Sequence, residues 1–486
     1  LDASGLLSRL TEVLGAEAEA VVSSLEERRT YECDGLTGHR VTPGVVVLPE
    51  TAEQVQQVVR LCAEHGVPFV ARGSGTGLSG GALPVADGVL IVLARMRRIL
   101  EVDLPNRRVV VEPGVTNLAV TRAVADAGYY YAPDPSSQVV CSIGGNVAEN
   151  SGGAHCLKHG FTTHHVVGLE VVLPDGERVI LGGKAPDAPG YDLVGAFVGS
   201  EGTLGIATAV TLRLSRRPEG VRTLLAAFAS TDRAGEAVSA IIAAAILPAA
   251  VEMMDALAIE AAEAAVQAGY PAGAGAVLIV ELDGPEAEVE EQLAAVEAIC
   301  RETGAGELRI AAGEQERALL WKGRKSAFAA VGRIGPDYYV QDGVVPRTAL
   351  PAVLRRIDAL AQEAGLRVAN VFHAGDGNLH PLVLYDASVP GEAQRAEALA
   401  ARILDACLEH GGSITGEHGV GWDKKAYMPR MFTEPDLDAM QLLRCAFDPR
   451  GLSNPGKVFP TPRLCGEAPG PRRPHPLEDT GLAQVF

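Results

Sequence analysis

The residues with the most chemistry in their spacing lie late in the chain. His373 and His380 flank Ala-Gly-Asp-Gly-Asn-Leu, and Glu417 and His418 stand side by side in Gly416-Glu-His-Gly-Val-Gly421. Two imidazoles and a carboxylate form a ligand set for a divalent ion, and one imidazole is left over. Taken singly, each residue reads more readily as a satisfied polar side chain, and H-x₆-H is not a general zinc spacing. The argument for a site is the combination, because three of the eleven histidines fall in two short glycine-rich stretches. Arg324, in Leu320-Trp-Lys-Gly-Arg-Lys-Ser326, belongs to a cationic helical segment of an acidic chain. It reads either as part of a solvated helix face or as a planar clamp for a carboxylate.

A second kind of chemistry is written in glycine. Five of the nine residues Gly73 to Gly81 are glycine, between the apolar runs Val67 to Ala71 and Val89 to Leu93. Such a loop can turn successive N–H groups toward one anion, which suits a diphosphate. Gly75, Gly77 and Gly80 match G-x-G-x-x-G, but Pro84 and Asp87-Gly88 leave no room for the helix that a nicotinamide fingerprint requires. A flexible linker is the alternative, and the flanking apolar runs argue against it. Small residues recur in Pro133-Asp-Pro-Ser-Ser137 and Ser142 to Ala154, which read as loops where Asn146 and Asn150 can donate. They recur again in Gly199-Ser-Glu-Gly-Thr-Leu-Gly-Ile206. One extended cofactor crossing the domain accounts for all three loops together.

The elements that must position these groups follow from periodicity. Antiparallel strands over Arg367 to Phe372 and Leu379 to Leu384 would bring His373 and His380 together across an Asp-Gly turn. Val45 to Leu48 reads as a strand, and Thr51 caps a helix with Gln54 as the capping-box partner. Arg95 to Asp103, Arg107 to Glu112, Val166 to Leu173 and Ala209 to Leu214 read as strands, with a helix from Pro113 to Gly128. Near Ser215 to Gly220 the composition turns rich in Ala, Glu and Leu. Strands over Thr223 to Phe228 and Ala276 to Leu282 there alternate with helices over Arg233 to Ile246, Pro285 to Glu302, Ala349 to Glu363 and Gly391 to His410. The longest apolar stretch, Ala237 to Val251, is too short to span a membrane and reads as a buried helix ending near Pro248.

Length and charge bound the rest. The chain has 486 residues, enough for two or three domains, and a net charge of −19, which gives no support to nucleic-acid binding. None of the eight cysteines forms C-x-x-C, so no iron–sulfur cluster or zinc ribbon is written here, and the scatter suggests a reduced, cytoplasmic setting. The first residues read as an amphipathic helix rather than a signal peptide.

Arg72 to Gly81, Pro133 to Ser137, Ile143-Gly-Gly-Asn-Val-Ala-Glu-Asn150 and Gly199 to Gly205 resemble the FAD-binding domain of the vanillyl-alcohol oxidase superfamily. His373 to His380, Gly416 to Gly421 and Asn454-Pro-Gly-Lys457 resemble its D-2-hydroxyacid dehydrogenase branch. Asp337 to Pro346 and Asn370 to Asn378 are most similar to the flavin subunits of bacterial glycolate oxidases. The resemblance covers roughly residues 40 to 460.

It implies an α+β fold in which a two-subdomain FAD-binding domain carries an α+β cap. The expected organisation is a helical segment 1–40, a FAD domain 41–217, a cap 218–415, a segment 416–460 that completes the active site, and an extended tail 461–486. It implies FAD on Arg72, Gly73, Ser74, Gly75, Thr76 and Gly77, with Ser79 near the flavin. Pro133, Asp134, Ser137, Gly144, Gly145, Asn150, Gly153, Glu201, Gly202, Ile206 and Asn454 would line the rest. No histidine stands in the first glycine loop, so the flavin is expected to be non-covalent.

The resemblance further implies a divalent ion, zinc or similar, on His373, His380 and Glu417, with His418 as base and Arg324 on the substrate carboxylate. Val340 and Phe328, where hydroxyglutarate enzymes offer lysine and threonine, favour glycolate or D-lactate over a dicarboxylate. Iron–sulfur and second flavin-type subunits are implied as electron acceptors, which would place the chain in the cytoplasm or, through them, peripherally on the inner membrane. The alternatives are a D-2-hydroxyglutarate dehydrogenase, a metal-dependent hydrolase without a redox cofactor, and a non-catalytic flavin-fold subunit.

Overall fold

The computed structural model describes residues 3–15, 20–185 and 189–460. The expected arm 461–486 lies outside the described residues. Three main sheets organise the chain.

The first has the order Val21–Val22, Val45–Val47, Val89–Val92, Phe69–Arg72, and its last three strands run parallel. These strands are short and β-branched because helices and loops cover them. Helix Ala52–His65 lays Val55, Val58, Val59 and Cys62 on the sheet at helical spacing. Thr51 caps it by accepting from Gln54 N, but the Gln54 side chain accepts from Glu50 N, one residue before the expected partner. Gly66 ends the helix with φ +66°. The loop from Gly73 to Gly88 then joins two parallel neighbours with no helix between them.

The second sheet is antiparallel, in the order Ile99–Asp103, Arg108–Val111, Ile206–Arg213, Val166–Val172, Arg178–Gly182. The helix expected after Pro113 runs over Asn117–Val124 and tightens into a 3-10 turn before Gly128. The second glycine-rich stretch departs from the loop reading. Ile143–Glu149 is a helix, capped by Ser142 accepting from Gly145 N, with Asn150 left-handed at its end. Glycines 144 and 145 masked it from propensity.

The third sheet has eight antiparallel strands, ordered Glu307–Ile310, Gly220–Phe228, Ala276–Gly284, Ala250–Asp255, Arg367–His373, Asn378–Tyr385, Asp337–Val340, with Gly343–Val344 also paired to Asn378–Tyr385. Both faces are covered. Leu224, Ala226 and Phe228 join one core with helices Thr231–Ala243, Glu286–Glu302, Leu350–Ala364 and Glu392–Glu409. Leu225 and Ala227 join the other with helices Ala256–Val266 and Glu314–Val331. Period-two alternation between two dry faces is why these strands read as unbroken apolar runs.

The run Ala237 to Val251 is therefore not one helix. The helix ends at Ala243, and Ala250 opens a strand. The chain leaves the helix through Ala245, whose φ is +59°, and from Ala250 the residues alternate faces. Among the described residues no helix is long and apolar enough to cross a membrane. Among the described residues Cys33, Cys62, Cys141, Cys156, Cys300 and Cys407 are free thiols.

Candidate active site

The antiparallel pairing of Arg367–His373 with Asn378–Tyr385 sets Val371 opposite His380 and His373 opposite Asn378. The two imidazoles thus meet edge to face, with centroids 5.1 Å apart. Both histidines sit on strands, and only the turn between them is a loop. Loop Gly416 to Gly421 enters from the far end of the chain and stacks His418 on His380 at 4.9 Å.

Glu417 is the point of convergence. Its Oε1 lies 3.4 Å from His373 Nε2, 3.1 Å from His380 Nε2 and 3.8 Å from His418 Nε2. The donor atoms of His373, His380 and Glu417 all lie within 4.8 Å of one another. Both ring nitrogens of His380 are buried without a hydrogen-bond partner. Burial opposes a charge on His373, but Glu252 and Glu417 outweigh it and hold its pKa well above the usual imidazole value. Converging lone pairs, orphaned nitrogens and an electrostatic demand for positive charge fit a divalent cation. Burial pulls His418 down to about 4, which leaves it neutral and able to accept a proton at neutral pH.

Two carboxylates without an assigned role in the sequence reading support this centre. Asp342, fully buried, accepts from the backbone N–H of Gly416 (2.9 Å), Glu417 (3.1 Å) and His418 (2.9 Å). It also faces His380 Nδ1 at 3.7 Å and His418 Nδ1 at 4.0 Å. Glu252 accepts from His373 Nδ1 at 2.8 Å and pairs with Arg324 Nη2 at 2.5 Å. The available signals were a lone carboxylate interrupting an apolar strand and an Asp-Gly step inside Asp337 to Pro346.

Arg324 is not on a solvated face. Its side chain is buried, and neither Nε nor Nη2 has a hydrogen-bond partner, Nη2 making only the ion contact with Glu252. A turn along the same helix, Phe328 packs edge to face on His380 at 5.7 Å.

The flavin-loop residues fall into two groups. Arg72, Gly73, Ser74, Gly75, Thr76, Gly77, Ser137, Gly144, Gly145, Glu201, Gly202 and Ile206 line one cavity, and Phe328, Glu417 and His418 close its far wall. A Cβ built on Gly77 meets nothing nearer than 4.0 Å, so this backbone faces open space, whereas one on Gly73 would strike Ser142 Oγ at 2.1 Å. A long cleft walled by bare backbone and ending at the histidine centre fits FAD.

The second group holds that wall together without lining it. Asn454 spends its amide on the carbonyls of Gly81 and Glu201. Asn150 Oδ1 accepts from Thr163 N, and Pro133 O accepts from Asn117. Asp134 pairs with His155 and Lys325. Ser79 O receives the N–H groups of Trp422 and Asp423. A Cβ on Gly153 would strike the Asp134 carbonyl at 2.6 Å. Glu201 lines the cavity and also accepts from Val420 N and Gly421 N, both at 2.6 Å. Burial pushes its carboxyl up to about 7 despite those donors.

Comparison with known proteins agrees with this architecture. A family model described as FAD binding domain matches residues 43–182, and one described as FAD linked oxidases, C-terminal domain, matches 217–458. The chain is 52% identical over 468 residues to glycolate oxidase subunit GlcD of Escherichia coli (strain K12), covering 96% of this chain and 93% of the relative. The chain belongs to the FAD-linked oxidase family.

Another relative in that family, glycolate oxidase subunit GlcD of Bacillus subtilis (strain 168), is 42% identical, with 89% of this chain and 92% of the relative covered. The probable mitochondrial D-lactate dehydrogenase of Danio rerio is 32% identical, with 93% and 91% covered. In fold, this FAD-linked oxidase superposes on 4-ethylphenol oxidase from Gulosibacter chungangensis with a TM-score of 0.77 at 19% identity, over 94% of this chain and 97% of the other. For p-cresol methylhydroxylase the TM-score is 0.75 at 18% identity, over 94% and 96%. The fold is the vanillyl-alcohol oxidase type that the resemblance implies, and the chain is a flavoprotein oxidoreductase.

Proposed function

We propose that this flavoprotein oxidises a small D-2-hydroxy acid, glycolate or D-lactate, to the 2-oxo acid and delivers the electrons to an acceptor other than NAD. The observation that carries the reading is the convergence of three imidazole Nε2 atoms on Glu417, at the wall of the flavin cleft. Relatives named for glycolate and D-lactate supply the substrate class.

When bound, FAD would supply an acceptor for hydride, and a divalent ion, zinc by donor type, would supply Lewis acidity to the substrate hydroxyl. His373, His380 and Glu417 hold that ion. His418 accepts the hydroxyl proton at Nε2, the nitrogen turned toward Glu417 rather than Asp342. Arg324 binds the substrate carboxylate through its unpartnered donor, which in a buried site is worth more than in water. Phe328, in the cleft wall beside His380, limits the room for a second carboxylate and favours a short acid. The chain is proposed to pass electrons to iron–sulfur and second flavin-type subunits, in the cytoplasm or peripherally on the inner membrane.

The test is an anaerobic titration of the purified, flavin-loaded chain with glycolate, D-lactate, L-lactate and D-2-hydroxyglutarate, with ion content measured in parallel. Bleaching by glycolate or D-lactate, lost on chelation and restored by zinc, is the expected result. Full bleaching after complete chelation removes the ion from the mechanism. A flavin that none of the acids reduces removes the reaction.

A further inference from the structure

We propose that Glu252 is a positioning residue serving two functional groups at once. Its carboxylate fixes both the His373 imidazole and the Arg324 guanidinium, and so sets ion affinity and the grip on the substrate carboxylate together. This rests on the reading of the site as a centre that binds an ion and a carboxylate.

Glu252 stands in the middle of strand Ala250–Asp255, between Val251 and Met253, with 1% of its surface exposed. A charge in that place is costly unless it is partnered. Strand register gives it the first partner. Glu252 lies directly opposite His373 on the neighbouring strand, and both project onto the sheet face that carries helix Glu314–Val331. That helix delivers the second partner, Arg324, to the other carboxylate oxygen.

The two contacts do different work. By accepting the hydrogen bond from His373 Nδ1, Glu252 keeps the proton on that nitrogen, so that Nε2, which faces Glu417, is the nitrogen that yields its proton to an incoming ion. By pairing with Arg324 as a counter-charge, it makes a buried guanidinium tolerable while Nε and Nη2 stay without hydrogen-bond partners. Glu252, like His373 and Arg324, stands behind the wall of the flavin cleft, and it touches the centre only through those two side chains. A carboxylate with only a packing role would need neither partner to be a functional group. Here both are.

The test uses Glu252→Gln in the flavin-loaded full chain. Zinc affinity is measured by competition with a chromophoric chelator, and KM and kcat with glycolate or D-lactate. The flavin content of the folded protein should hold. Zinc affinity is expected to fall by about 10–100-fold. KM should rise about tenfold, with kcat changing less. Zinc affinity and KM both equal to wild type would overturn the proposal. So would a loss of activity that only follows loss of flavin.

Should Glu252→Gln fail to fold, Glu252→Asp keeps the charge and withdraws it by one methylene. The same weakening of zinc with flavin retained supports the proposal, and wild-type values sink it. A wild-type chain that takes up no ion would defeat the metal reading instead, and the KM comparison alone would then decide the role of Glu252.

Discussion

His418 is the residue on which turnover should depend most, because it stacks on His380 beside the proposed ion set and itself lines the flavin cleft. Its replacement by Gln is expected to lower kcat by about 10²–10⁴-fold. The flavin spectrum and any bound zinc should persist, because neither the glycine loops nor the three proposed ligands are touched. Stopped-flow flavin reduction checks this, and an unchanged reduction rate would take the base role away. That these side chains meet was legible in sequence, since His373, His380, Glu417 and His418 sit in compact glycine-rich motifs. Glu252 and Asp342 were less so, because they act from other strands and only register aims them. What marked them was burial, a property that a run such as Ala-Val-Glu-Met-Met hints at but does not assign.

At the scale of elements, the loop Gly416 to Gly421 hangs between two buried carboxylates. Asp342 grips its first three N–H groups from the cap side, and Glu201 grips Val420 and Gly421 from a flavin loop. Replacing Asp342 with Asn is expected to raise amide exchange at Gly416, Glu417 and His418 by about tenfold or more, since charged acceptors to buried N–H groups are lost. Unaltered exchange at those amides would show that the loop holds without it. The flavin loops carry a complementary prediction. A Cβ on Gly77 meets open cleft, so Gly77→Val should fold and melt like the flavin-free wild type yet fail to retain FAD. Normal flavin content in that variant would move the cofactor elsewhere. The glycines announced the cradle in sequence, but they also hid helix Ile143–Glu149, whose existence depends on the Ser142 cap and on packing that propensity does not contain.

Across the whole molecule, the two halves are joined by charge as well as by the slung loop. His155, in the stretch after the second glycine region, bridges Asp134 at 3.0 Å and Glu281 of the cap sheet at 3.1 Å. Glu281 in turn receives Arg317 at 2.9 Å and the Trp321 indole N–H at 2.6 Å. Burial lowers the His155 pKa, but Asp134 and Glu281 outweigh it and hold it at about 10. Burial opposes the charge on Asp134 and Glu281 too, yet His155 and its cationic neighbours hold both well below the usual carboxylate range. The signs then set a pH window. A raised imidazole contributes its full stability below its unfolded value of about 6.5 and loses it as pH climbs toward the folded value. The depressed carboxylates contribute fully above about 4 and lose it as pH falls. The cluster therefore stabilises the joint most between those limits, and it weakens through the alkaline range. His155→Gln should cost about 3–5 kcal/mol near pH 6, the scale for breaking a buried ion pair. The gap between variant and wild type should narrow steadily toward pH 10. Denaturant unfolding of the flavin-loaded proteins at several pH values measures that gap, and a difference that stays constant from pH 6 to pH 10 would mean that the proton on His155 does not hold the two halves together.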